Sequence, residues 1–128
     1  MNARTNDDFR KEGTRKATLA FLSALTEQEE SGEPPAMFMI CQQKNPITGR
    51  RNEVRLTAGV QAMGAIAAGH VLKAVHDFDT FTEDNDPYGE HDFGIVRMEG
   101  ETLNWKIDDY QGYDGIELVL TIMTAMEY

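Results

Sequence analysis

Apolar residues recur along this chain in two rhythms, one helical and one alternating. From Thr14, which can cap a helix, Leu19, Phe21, Leu22 and Leu25 fall at near-helical spacing and predict a helix through Glu30. Residues 1–13 read as a polar, frayed start. Ser31-Gly32-Glu33-Pro34-Pro35 ends that helix, because glycine suits the C-terminal turn and proline cannot continue the ladder. Residues 36–42 read as a strand, Asn45-Pro46-Ile47-Thr48-Gly49 as a turn, and Arg51 to Thr57 as a second strand with Val54 and Leu56 inward. The two strands can close as a hairpin.

A second helix is predicted from Gly64 to Asp79, where Ile66, Ala67, His70, Val71, Ala74, Val75 and Phe78 share one face. Gly64 and Gly69 each weaken it by about 1 kcal/mol relative to alanine. Three strands follow a polar loop: Phe93 to Met98, Leu103 to Asp109 and Leu118 to Met123. Glu99-Gly100-Glu101 and Gln111 to Gly115 supply the turns. Leu103, Trp105 and Ile107 alternate with Asn104, Lys106 and Asp108, so one sheet face is buried, and the Trp105 indole N–H there needs a partner. The order α-β-β-α-β-β-β predicts an α+β fold, an antiparallel sheet of about four to five strands with two helices packed on it. At 128 residues the chain fits a single domain.

Charge divides the chain. Residues 1–55 hold nine Lys/Arg and eight Asp/Glu, whereas residues 56–128 hold three against fourteen, a balance of −11. Such a field repels nucleic acid, which argues against direct DNA or RNA binding, and attracts cations or a basic protein surface. No apolar run approaches the roughly 20 residues that span a bilayer, and the first ten residues contain no apolar signal core. Cys41 is the single cysteine; it permits no internal disulfide and reads as a small buried hydrophobe, consistent with a reducing cytoplasm. The sequence does not set the oligomeric state.

The candidate chemistry lies in residues 77–92, with seven carboxylates, no Lys or Arg, and His76 and His91 nearby. A hard-cation site, with a divalent cation as the implied cofactor, would use Asp84, Asp86, His91 or Asp92. Asp84-x-Asp86-x-Tyr88-Gly89 imitates the opening of a calcium loop, but Ile95 stands where the closing glutamate is needed. An acid/base site would centre on Glu90, His91 and Asp92, with Lys106 or Asp108 supporting from the adjacent strand. Strand neighbours alternate faces, so His91 would not share a face with both carboxylates. A structural loop is the third reading: Asp86-Pro87 starts a turn, Tyr88-Gly89 allows a positive φ, and His91 ties the loop to the sheet. Elsewhere there is no HExxH, reactive-cysteine signature, glycine-flanked serine or phosphate-cradling loop. His70 reads as a hydrogen-bonded core residue and His76 as solvated.

Thr82-Glu83-Asp84-Asn85-Asp86-Pro87-Tyr88-Gly89-Glu90-His91-Asp92-Phe93-Gly94, with Trp105-Lys106-Ile107-Asp108 and Leu120-Thr121-Ile122-Met123, resembles a bacterial family catalogued as domain of unknown function 3768. Leu56-Thr57-Ala58-Gly59-Val60 and Phe78-Asp79-Thr80-Phe81-Thr82 are similar to it as well. The resemblance covers about residues 50–128, leaving residues 1–49 as a variable N-terminal extension. The family carries a longer segment where Gln111 to Gly115 forms a short turn here. Its members commonly sit on plasmids and other mobile elements. With the acidic segment, this implies a non-enzymatic interaction protein whose Glu83, Asp84 and Asp86 meet a basic, nucleic-acid-binding partner and counter a host defence. The alternative is the metal-assisted or acid/base enzyme.

Overall fold

The computed structural model describes residues 3–31, 38–41, 47–98 and 100–127, with side chains except at 20–31, 38–41 and 65. In chain order the elements are α1 (Ala3–Ser31), β1 (Phe38–Cys41), β2 (Arg51–Leu56), α2 (Ala58–Gln61), α3 (Ala65–Asp77), β3 (Phe93–Met98), β4 (Glu101–Asp109) and β5 (Ile116–Thr124). Single 3₁₀ turns at Tyr113–Gly115 and Ala125–Glu127 flank β5. The strands form one sheet in the order β1-β2-β5-β4-β3.

The fold is α+β, and the sheet is mixed rather than antiparallel. β3, β4 and β5 form the expected antiparallel meander and β1–β2 the expected hairpin, but β2 runs parallel to β5 with Val54 opposite Leu120. After β2 the chain crosses through α2, α3 and the outer hairpin before β5 returns beside it. Alternation specifies which face of a strand is buried and is silent on the direction of its neighbour. β5 is central and buries Leu118, Val119, Leu120, Ile122 and Met123, from both faces. Its near-continuous apolar run reflects that position.

The helices cover one face of the sheet, above Val54, Leu56, Leu103, Trp105 and Ile107, all buried. Two helical expectations change. α1 begins at Ala3, and its first turns are not a polar fringe: Asn6, Phe9, Arg10, Thr14 and Ala17 are buried at helical spacing. Thr14 is therefore no cap; its hydroxyl donates to the Arg10 carbonyl at 2.7 Å. Leu19, expected inward, is 61% exposed, and the side chains of Phe21, Leu22 and Leu25 lie outside the described residues. On α3 the buried stripe is Ala68, Val71, Leu72 and Val75, which leaves Ile66 and His70 exposed. The stripe is rotated because α1 lies beside α3 and covers Leu72 along with the sheet-facing residues. The Cys41 side chain and the turn at Asn45 and Pro46 also fall outside the described residues.

On the other sheet face, Glu53 is buried between Arg51 (3.2 Å) and Arg55 (2.8 Å). Burial alone would raise its carboxyl, but the two guanidinium groups hold it below the ordinary range.

Candidate functional site

The loop joining α3 to β3 contains residues 78–92, and its backbone is organised by its own short polar side chains. The Thr82 N–H donates to Asn85 Oδ1 at 2.8 Å, while the Asn85 N–H donates to Thr82 Oγ1 at 3.3 Å. Asn85 Nδ2 also reaches the Thr80 carbonyl. Asp86 turns inward, its side chain only 6% exposed. Its carboxylate accepts from the backbone N–H groups of Glu90 (3.0 Å) and His91 (3.2 Å). That grip holds His91 at φ +54°, a conformation unfavourable for a residue with a Cβ.

The His91 ring stacks on Phe81, with centroids 3.8 Å apart and planes 5° from parallel. The carboxylates that reach it are Asp7, 2.9 Å from Nδ1, and Asp86, 3.6 Å from Nε2. Neither sequence neighbour, Glu90 or Asp92, pairs with it. The proposed Glu90–His91–Asp92 set is thus replaced by Asp7–His91–Asp86. Because a carboxylate accepts, Asp7 orients the imidazole with its proton on Nδ1. Lys106 and Asp108 do not join this centre. They alternate with Trp105 onto the opposite sheet face and pair with each other at 3.3 Å.

Three residues of α1, all unforeseen, build the far wall. Asn6 Nδ2 donates to the Glu90 carbonyl at 2.8 Å. Arg10 is 1% exposed, donates to Asp7 (3.2 Å) and to the Phe78 carbonyl (2.9 Å), and lies over the Phe81 and Trp105 rings at 5.4 and 5.1 Å. Burial pushes the Arg10 guanidinium below its usual value, with Asp7 opposing. The Trp105 indole N–H, expected to be partnered, has no hydrogen-bond partner among the described residues and lies against Gly94. The sequence signal for this wall was the spacing of Asn6, Phe9, Arg10, Gly13, Thr14 and Ala17, a helical stripe with Phe9 as its one large apolar residue.

The remaining carboxylates diverge. Glu83 and Asp84 are exposed at the loop tip. Asp92 is part-buried; its carboxyl is pushed above the usual range by burial and by nearby Glu90, Asp86 and Asp108. The set Asp84, Asp86, His91 and Asp92 does not converge, and no group of three or more His, Cys, Asp or Glu is arranged to hold a metal among the described residues. His76, as expected, lies toward solvent and pairs with Asp77 at 2.8 Å. Asp77 is lowered to about 2 by hydrogen bonds from Lys73 and His76.

Among the described residues, surface cavities elsewhere include one of about 410 Å³ between α1 and α3, one of about 340 Å³ at the β3–β4 turn, and one of about 450 Å³ between α1 and the end of the sheet near Leu118. The loop's polar residues line none of these three. Chemically, the centre combines an oriented, part-exposed imidazole with a buried cation.

No helix among the described residues is long and apolar enough to cross a membrane. Residues 56–118 match the model of a family described as a protein of unknown function (DUF3768). No curated protein and no solved structure matches the chain.

Proposed function

We propose, for a chain whose residues 56–118 belong to this family of unknown function, a non-enzymatic interaction module of a bacterial mobile element. It acts in the cytoplasm, where it counters a host defence by presenting carboxylates to a basic, nucleic-acid-binding protein. One observation carries the reading: the loop divides its acids by role. Asp86 and His91 are engaged in holding the loop, while Glu83 and Asp84 stand exposed at its tip. Asp86 therefore leaves the contact set and becomes its support. The −11 balance of residues 56–128 supplies the long-range attraction.

The test is a pull-down from host lysate with the native chain and with Glu83→Gln/Asp84→Asn, followed by association kinetics on the protein recovered. Association should slow in the variant and as salt rises, with dissociation little changed. An association rate indifferent to both would reduce the acidic surface to a solubility feature.

The Asp7–His91 pair favours a second reading, acid/base catalysis, because an orienting carboxylate on Nδ1 is the arrangement a general base requires. That reading expects His91→Gln to abolish an activity while Glu83→Gln/Asp84→Asn leaves it intact. The interaction reading expects the reverse for binding.

A further inference from the structure

Among the described residues β3 ends the sheet, and its register decides which of its backbone groups point away from β4. The Ile107 N–H donates to the Asp92 carbonyl at 2.8 Å, and the same unbroken register sets Gly94 opposite Trp105 and Val96 opposite Leu103. Hydrogen-bonding directions alternate along a strand, so Asp92, Gly94, Val96 and Met98 point into β4 while Ile95 and Arg97 point away from it. Ile95 is 47% exposed and Arg97 is exposed as well.

Edges of this kind are normally blocked by proline, a bulge or an inward charge. β3 has no proline and no register shift, and its one charged side chain is Arg97. Acids flank it at both ends: part-buried Asp92 and Glu90 near its start, and exposed Glu101 opposite Met98 at its finish.

We propose that the outer edge of β3 at Ile95 and Arg97 takes up an extended basic segment of a partner protein as an added strand of the sheet. This rests on the interaction reading above and specifies how the partner docks. The backbone groups of Ile95 and Arg97 supply the ladder, the exposed Ile95 side chain packs on the incoming strand, and the flanking carboxylates select lysine or arginine. A second copy of this chain is disfavoured as occupant, since pairing would oppose two net charges of −10.

The probe is a peptide of about eight residues, a typical strand length, that alternates lysine with valine and threonine. Amide hydrogen exchange by NMR is the readout. In the free chain, Gly94 and Val96 are expected to be protected while Ile95 and Arg97 exchange quickly. Saturating peptide should slow Ile95 and Arg97 by about tenfold or more. Ile95→Pro removes one outward N–H without touching the β4 ladder and should weaken binding at least about tenfold. If that variant fails to fold, Ile95→Lys, which keeps the ladder and repels the probe, should weaken binding instead.

Binding that leaves Ile95 and Arg97 unprotected overturns the edge proposal while the charge reading stands. Protection with salt-independent affinity overturns the charge reading alone. Absence of any peptide binding overturns both. Protection that grows with protein concentration in the free chain assigns the edge to a second copy and overturns the basic-strand proposal.

Discussion

Gly94 has no side chain because the Trp105 indole occupies the space one would need: a Cβ there would collide with the ring. The ring cannot move away, being fully buried and wedged edge-on against Phe78 (5.4 Å) and Phe81 (6.2 Å). Gly94→Ala should therefore destabilise the protein by about 2 kcal/mol, typical of overpacking in a core, seen as a lower urea midpoint with an unchanged slope. Asp92 makes a prediction of opposite sign. Its folded carboxyl is raised by burial and by the acids around it, so its stabilising contribution is present below the ordinary aspartate pKa of about 4 and is lost as pH rises through the folded value. Replacing Asp92 with asparagine should raise the urea midpoint at neutral pH and leave it unchanged near pH ~3.

The decisive element is α1. Its first turns lie outside the family match, yet they supply Asn6, Asp7 and Arg10 to the loop within it. Asp7 serves two partners at once, bridging the buried Arg10 and His91. Asp7→Ala leaves a buried guanidinium with less compensation and should cost about 3 kcal/mol. Because the contact joins two elements, its loss should also release the loop: amide exchange should accelerate at Glu90 and His91 while the β4–β5 ladder stays protected. Loss of stability without that local change would mean that Asp7 acts within α1 alone.

The whole molecule carries a net charge of −10, concentrated after residue 55. Self-repulsion of this kind weakens as the Debye length contracts from about 30 Å at 0.01 M salt to about 8 Å at 0.15 M. The melting temperature should rise by several degrees across that range, roughly what 1 kcal/mol produces in a domain of this size. Glu83→Gln/Asp84→Asn should reduce that rise, because both carboxylates are exposed. A melting temperature insensitive to salt would show that the acids are too widely spaced to repel.

The sequence by itself determined the inward faces of the strands and the turn-rich loop. Alternation at Leu103, Trp105 and Ile107 placed the buried face of β4, Val54 and Leu56 placed that of β2, and the polar composition of Thr82–Glu90 marked a turn-rich loop. These properties depend on residues close in the chain, where side-chain period and turn chemistry act directly. Tertiary structure decided whatever required distant segments to meet. The parallel pairing of β2 with β5 follows from a crossover that no periodicity records. The rotated face of α3 follows from α1 lying beside it. The partner of His91 was the least legible: a short-range reading assigned it to Glu90 and Asp92, yet the backbone at φ +54° turns the ring away from them. It meets instead Asp7, 84 positions away, and Asp86. A carboxylate's charge is written in the sequence, but only the fold sets its distance from an imidazole, and electrostatic energy depends on that distance.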